Sequence, residues 1–289
     1  MKAHDFRGRA PVYQTVVNTL LVLVLVIVLI PFLYVVLASF ATKQEILTRG
    51  FFLIPRTWTT NAYAYLMENK NFLTSFKNST LIAVAGTTIS MTLTTLMAYG
   101  LSKTWLKGRK IINFMVLFTM LFSGGIIPLY LLVRGLSLLD SYWSLFLTGA
   151  IAPFNLIVIR SSFQNFPMEI EESARIDGCS EFGLLWKIVL PLSKPVLATF
   201  TLFYTVDYWN SYFNSILYLT SAEKMPIQVF LRQMLIQPSE NMGPAVEGLE
   251  FSPAVRMAAV VFTAIPLLVV YPFLQKYFNQ GMLLGSVKG

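Results

Sequence analysis

Hydrophobic and polar positions follow one another along this chain in long blocks rather than at a short period. Six stretches are almost free of Asp, Glu, Lys and Arg: Ala10 to Thr42, Asn78 to Ser102, Ile111 to Val133, Ser141 to Ile159, Pro195 to Ala222 with Asp207 alone inside it, and Met257 to Gln275. About 20 predominantly apolar residues are needed for a helix to cross the roughly 30 Å hydrocarbon layer of a bilayer. The blocks therefore predict an all-α integral membrane protein with six transmembrane helices, over residues 12–40, 78–102, 111–133, 142–163, 195–219 and 257–277. A single transmembrane domain over residues 1–289 is expected. Lys2, Arg7 and Arg9 precede the first block, and Ser39-Phe40-Ala41 mimics a secretion cleavage site. Its apolar part, however, far exceeds the roughly 7–15 residues of a signal sequence. It reads as an uncleaved span in which Pro31 is tolerated or makes a kink.

Composition supports the membrane reading. Hydrophobic residues make up 55% and charged residues 12%, against about 25% charged in a typical soluble domain. Buried helices of a large soluble protein are the alternative, but too few polar residues exist to cover them. The net charge of +8 is no sign of a nucleic-acid partner, because the basic residues lie between apolar blocks and not along one face. Cys179 and His4 are the sole cysteine and histidine. An intrachain disulfide is thereby excluded, and histidine catalysis, zinc chemistry or any other metal site is not expected. Basic residues of short loops favour the cytoplasm, and Lys103, Lys107, Arg109 and Lys110 crowd the short segment between the second and third blocks. Six spans then leave both termini cytoplasmic. Lys43, Arg49, Arg56, Lys70 and Lys77 oppose that assignment from a segment long enough to obey the rule weakly.

Between the fourth and fifth blocks, residues 167–191 form a polar insert. Pro167 suits a helix start, Glu169, Glu171 and Glu172 favour its positive end, and Gly178 can take the turn that ends it. Phe182, Leu185, Trp186 and Val189 then make a helical stripe, and Pro191 stops it. The prediction is a cytosolic helix–turn–helix knob that docks in a partner. An amphipathic helix on the inner membrane surface, anchored by Trp186 and Lys187, is the alternative. The second block is rich in Ala, Gly, Ser and Thr, which let helix backbones approach closely in a bilayer, so it is read as a packing helix.

The insert resembles the EAA loop of permeases of ATP-driven importers, in which Glu-Ala-Ala, Gly and Ile-x-Leu-Pro recur at fixed offsets. Here Glu172-Ser173-Ala174, Gly178, Ile188, Leu190 and Pro191 keep every offset, with Ser173 for the first alanine. The resemblance implies the type I importer transmembrane fold. It also implies that this loop couples to a separate ATPase, with Glu171, Glu172, Ala174, Asp177 and Gly178 meeting that partner. Tyr208-Trp209-Asn210-Ser211-Tyr212-Phe213 is similar to a stretch of carbohydrate-importer permeases of the maltose-permease-like branch. The tail from Gly281 to Gly289 is similar to that branch's C-terminus, which implies that Gly285 and Lys288 reach toward the ATPase. Ser123-Gly124-Gly125-Ile126-Ile127-Pro128 resembles a sub-branch importing oligosaccharides from plant or algal polysaccharides.

The family implies a heterodimer with a second permease, two ATPase subunits and an extracytoplasmic solute-binding protein, all at a bacterial cell membrane. The chain has no phosphate-cradling G-x-x-x-x-G-K-[ST], so it is expected to be a non-catalytic subunit, with ATP and Mg bound by the partner ATPases. Asp207 inside the fifth block is costly in lipid and should face the bundle interior or water. Tyr208, Trp209, Asn210 and Tyr212 beside it mix rings that stack on sugars with an amide that bonds hydroxyls, a candidate substrate path. Interfacial anchoring explains the same aromatics. The basic outer segment suits acidic sugars, and docking of a binding protein accounts for it equally. A secondary carrier driven by an ion gradient is the rival function. It would call for intramembrane charges in several helices and two matching halves, and only Asp207 qualifies.

Overall fold

The computed structural model describes residues 10–236 and 252–286, and no strand occurs among them. They fall into two compact units, one drawn from residues 1–69 and 234–263, the other from 70–233 and 264–289. His4 and Lys288 lie outside the described residues.

The first unit begins with α1 (Ala10–Ala38). The most apolar stretch of its span Tyr13–Ala38 has no residue buried within the chain. A helix apolar on every side needs lipid or a partner subunit around it. The chain then turns into α2 (Lys43–Arg49) and α3 (Asn61–Glu68). Glu45, almost fully buried, organises this segment. It pairs with Arg49 and accepts hydrogen bonds from the Arg56 and Thr57 amides at 2.8 and 3.3 Å. The Arg56 amide chiefly holds its carboxyl below the ordinary range, against an opposing push from burial. Tyr34 stacks on Phe51 at 5.1 Å, and Ser39 Oγ shares a hydrogen bond with Tyr63 at 2.6 Å.

In the second unit α4 (Lys70–Ser102) is the central rod, and it packs against α8 (Pro153–Gln164) and α12 (Lys194–Trp209). Its small residues Ala83, Gly86, Thr87, Ser90, Thr94 and Ala98 are buried, so the packing role expected of this block holds.

Three helices are long and apolar enough to cross a membrane unbroken: Tyr13–Ala38, Lys70–Ser102 and Pro253–Pro272, the last being the start of α15 (Pro253–Ser286). The other three predicted spans are not single helices. Residues 111–133 divide into α5 (Arg109–Leu121) and α6 (Ile126–Gly135), bent by 119°. Gly125 sits there at φ +87°, and its amide bonds Ser123 Oγ at 3.2 Å in place of a helical carbonyl. Residues 142–163 divide into α7 (Tyr142–Thr148) and α8 with a 51° bend. Pro153 opens α8, where its missing N–H costs nothing. Residues 195–219 end their first helix at Trp209 and resume as α13 (Phe213–Tyr218). A short 3₁₀ turn (Ala222–Lys224) and α14 (Ile227–Ile236) follow. Six crossings are reached by length and composition only when each of three bent helix pairs counts as one span, the third joining Glu181–Leu192 to α12 at 83°.

Candidate functional site

The polar insert folds as the expected helix–turn–helix. The first arm, α9 (Met168–Ile176), carries Glu169 and Glu171 in its first turn, where they complement the helix dipole. Gly178 follows at φ +80°, a left-handed conformation that glycine adopts without strain. Cys179 N bonds Ala174 O at 2.9 Å and closes the turn. The second arm runs through α10 (Glu181–Leu184), a π turn (Leu185–Val189) and α11 (Leu190–Leu192). Ser180 caps it, its Oγ accepting from Gly183 N at 3.2 Å.

Three expectations need correction here. Phe182, Leu185, Trp186 and Val189 do not share a face. Leu184, Leu185 and Val189 are buried against Tyr99 and Phe163, whereas Phe182 and Trp186 are 69% and 63% exposed. The i, i+3, i+4, i+7 spacing makes one stripe on a regular α-helix, but the wider π turn over Leu185–Val189 breaks that register. Pro191 does not stop the arm, because it sits in the first turn of α11; the chain bends by 83° after Leu192. Ala174 does not present itself to a partner. It is 8% exposed and lies inside the chain's own cluster, where only a small side chain lets α9 approach the second arm. Glu172, Ser173, Asp177, Gly178 and Pro191 are exposed, and Ile188 and Leu190 are half-buried against that cluster.

A network of charges ties the knob to the Ser102 end of α4. Lys103, buried at 6% exposure, bonds Glu171 Oε1 at 2.6 Å, and its ammonium lies 4.4 Å over the Tyr99 ring. Glu171 also faces Arg175 at 3.9 Å. Arg175 bonds Glu181 Oε1 at 2.7 Å, and Tyr99 donates to Glu181 Oε2 at 2.9 Å. Glu171 and Glu181 thus hold the two arms to each other and to α4. The sequence offered Lys103 only as a topology marker and Tyr99 not at all, since their partners lie 68 and 82 positions away.

Further along the unit, α4 and α12 meet as an antiparallel seam. Ser90 shares a hydrogen bond with Tyr208 OH, and Thr94 with Tyr204 OH, each at 2.8 Å. Tyr204 OH also accepts from Ala152 N at 2.9 Å, satisfying an amide at the break between α7 and α8. The Tyr208 ring leaves no room at Gly86, where a Cβ would stand 2.7 Å from its carbons. A Cβ at Gly149 would likewise meet Tyr208 OH at 3.0 Å. Gly86 and Gly149 are therefore the sockets of one tyrosine. The only trace of this in the sequence is matched i,i+4 spacing, Ser90 with Thr94 and Tyr204 with Tyr208.

Beside the seam lies a cavity of about 480 Å³, lined by Asp207, Tyr208, Asn210, Tyr212 and Asn214 with Thr148, Gly149 and Tyr204. The expected path residues come together here with one exception. Trp209 is buried and turned into the fold, its ring edge-on to Phe76 at 5.6 Å. Asp207 is exposed and forms no hydrogen bond or ion pair among the described residues. Behind two of the lining residues, Gln228 donates to Asn210 Oδ1 at 3.2 Å, and the Arg232 guanidinium lies 4.9 Å over the Tyr212 ring.

The loop after α6 is latched separately. Asp140 accepts from Lys224 Nζ at 2.7 Å, from Ser221 Oγ at 2.6 Å, and from the Thr220 and Ser221 amides at 3.0 and 2.9 Å. The Lys224 ammonium above all, and then these donors, hold its carboxyl well below the usual carboxylate range. The tail residue Gly285 falls within α15.

The polar knob thus stands out from an apolar bundle, with the cavity lying beside α12. Protein LplC of Bacillus subtilis (strain 168) is 48% identical over 272 residues, 91% of this chain and 90% of that protein. The polygalacturonan/rhamnogalacturonan transport system permease protein YtcP of the same organism is 48% identical over 281 residues, 96% of this chain and 98% of YtcP. Among solved structures, a chain from the crystal structure of a bacterial ABC transporter involved in the import of the acidic polysaccharide alginate superposes with a TM-score of 0.87 at 32% identity, covering 96% of this chain and 100% of that one. Residues 10–284 match the family profile described as binding-protein-dependent transport system inner membrane component, and the chain belongs to that family.

Proposed function

We propose that this chain is the membrane-spanning permease subunit of an ATP-driven, binding-protein-dependent oligosaccharide importer in a bacterial cell membrane. It forms half of the pathway as a heterodimer with a second permease. Two ATPase subunits, which bind ATP and Mg, engage it from the cytoplasm, and a solute-binding protein delivers sugar from the other side. Both termini are cytoplasmic in this reading, as is the knob. The knob is the coupling element, and its exposed residues Glu172, Asp177 and Gly178, with Ile176 and Phe182 beside them, meet the ATPase. Gly285 and Lys288 of the C-terminal tail extend toward the same partner. Substrate passes the cavity beside α12, where Asp207 and Asn210 bond hydroxyls and Tyr212 offers a ring.

The observation that carries the coupling role is the charge network. Lys103–Glu171 and Tyr99–Glu181 tie the arm to α4, and α4 in turn bonds Tyr208 at the cavity wall. Force applied to the knob is therefore felt where sugar would pass.

The test uses a Glu172→Cys variant in a Cys179→Ser background, in the complete complex in proteoliposomes. Cross-linking of that cysteine to the ATPase, with loss of ATP-driven oligosaccharide uptake and recovery on reduction, is expected. A cysteine modified only from the extracellular side, or uptake undiminished by complete cross-linking, would refute the coupling role.

A further inference from the structure

The cavity beside α12 contains an acid and no Lys or Arg: Asp207 is the only carboxylate among its lining residues. A cation stands one ring away. Arg232 lies over Tyr212, which lines the cavity, and Arg232 has no acidic partner among the described residues. An exposed guanidinium keeps five donors in a planar fork that matches a carboxylate, and a π-face supports it without consuming those donors. Arg232 and Gln228 sit four residues apart on α14, so they share a helix face. Gln228 holds Asn210, a second lining residue. The face of α14 thus sets a fork of donors and an amide against two residues that line the cavity.

From this geometry we infer that Arg232 is a specificity-determining residue for acidic sugars, and that the subunit recognises uronate-containing oligosaccharides. This rests on the oligosaccharide reading proposed above. A uronic acid presents a carboxylate at one end of its ring and vicinal hydroxyls at the other. Arg232 donates to the carboxylate while the ring lies at Tyr212. Asp207, with two acceptor oxygens and no donor to satisfy them, takes the hydroxyls. A neutral sugar uses Asp207 and Asn210 but leaves the guanidinium with water alone. The arrangement also offsets the repulsion that Asp207 would otherwise impose on an anionic guest.

Uptake of trigalacturonate and of its fully methyl-esterified form by the complete complex in proteoliposomes tests this, with Arg232→Gln and Arg232→Lys beside the unaltered protein. Arg232→Gln should raise the KM for the free acid about tenfold, the lower range for a hydrogen bond to a charged group. The ester should be affected less than twofold, and Arg232→Lys, which keeps the charge but not the fork, should recover part of the loss. Equal effects on acid and ester, or no effect on either, would overturn the role of Arg232. Where only the acid is carried, the Lys variant decides: a loss as large as that of Gln would overturn the role, since charge would then be irrelevant. An unaltered complex that carries neither sugar would strike at the acidic-substrate class itself, leaving ATP coupling to be judged by the Glu172 cross-link.

Discussion

The Lys103–Glu171 pair can be tested by a double-mutant cycle whose outcome follows from its geometry. At 2.6 Å, two unit charges in an effective dielectric of about 20 attract by about 6 kcal/mol. Most of that is offset by removing both ions from water, a cost of several kcal/mol each. The two single variants differ in what they strand. Glu171→Gln leaves Lys103, 6% exposed, over the Tyr99 ring with no carboxylate. Lys103→Met leaves Glu171, 15% exposed, with Arg175 still 3.9 Å away. Removing one partner of a buried pair costs about 3–5 kcal/mol. The glutamate variant should therefore lose about 3 kcal/mol and the lysine variant about 1.5 kcal/mol, its glutamate keeping a cation. The double variant, with no charge left unpaired, should lose no more than the worse single, about 2.5 kcal/mol. The coupling energy is then about 2 kcal/mol. Equilibrium unfolding of the purified chain in mixed micelles supplies the free energies, and hydrogen exchange over residues 168–176 reports whether the knob loosens first. Additive losses, or a lysine variant worse than the glutamate one, would refute this account of what pins the knob.

Other substitutions check the remaining contacts. Gly86→Ala places a methyl 2.7 Å from the Tyr208 ring and should destabilise the chain by about 2 kcal/mol, as overpacking does; combining it with Tyr208→Ala should remove most of its added cost in the same unfolding assay. Ser90→Ala removes the 2.8 Å partner of Tyr208 OH and should cost about 1 kcal/mol, with a larger loss of uptake than of stability if the ring borders the pathway. For Asp140 the folded carboxyl is held below its ordinary 3.8. Its contribution is thus complete above about pH 4 and is lost as pH falls through the lower folded value. Protease resistance of the 220–225 turn should be level from pH 7 to 5 and fall only in stronger acid, whereas Asp140→Asn should be sensitive already at pH 7. Glu45 follows the same sign, so Glu45→Gln should expose the 43–57 segment to exchange at neutral pH.

Much of this architecture was legible because its causes are local. Charge-free length marks a span wherever it occurs, and Pro167, Gly178 and the acids between them specify a helix, a turn and a second helix without reference to the rest of the chain. Breaks inside apolar blocks were harder to see. Nothing in hydropathy distinguishes Phe122–Gly125 from a continuing helix, although a glycine pair followed by Pro128 is a turn signal. The expectation for Ala174 failed because a residue at a fixed offset in a loop can serve either surface of it. The offset tells that small size is needed, and only packing tells that the neighbour is Tyr99's cluster rather than another protein. The seam stayed hidden for a different reason. Ser90 and Tyr208 are 118 positions apart, and a small hydroxyl on one helix does not announce which aromatic ring will find it. The cavity-lining residues were picked out by their chemistry, yet Trp209 shows that adjacency along a helix separates neighbours by about 100°, so one can line a cavity while the next fills the core.

The tyrosine seated at Gly86 has a bearing on motion. Helix α4 is 33 residues long, about 50 Å at the rise of an α-helix. The Ser102 end is pinned by ions, and an aromatic ring keys the helix about midway along, at Gly86. A ring seated that closely against α4 resists sliding of α12 along it, so a displacement at the pinned end is expected to reach the ring with little slippage. Substituting a rounder, looser side chain for that ring would introduce backlash: fuel would still be burned, and less cargo would cross for each stroke.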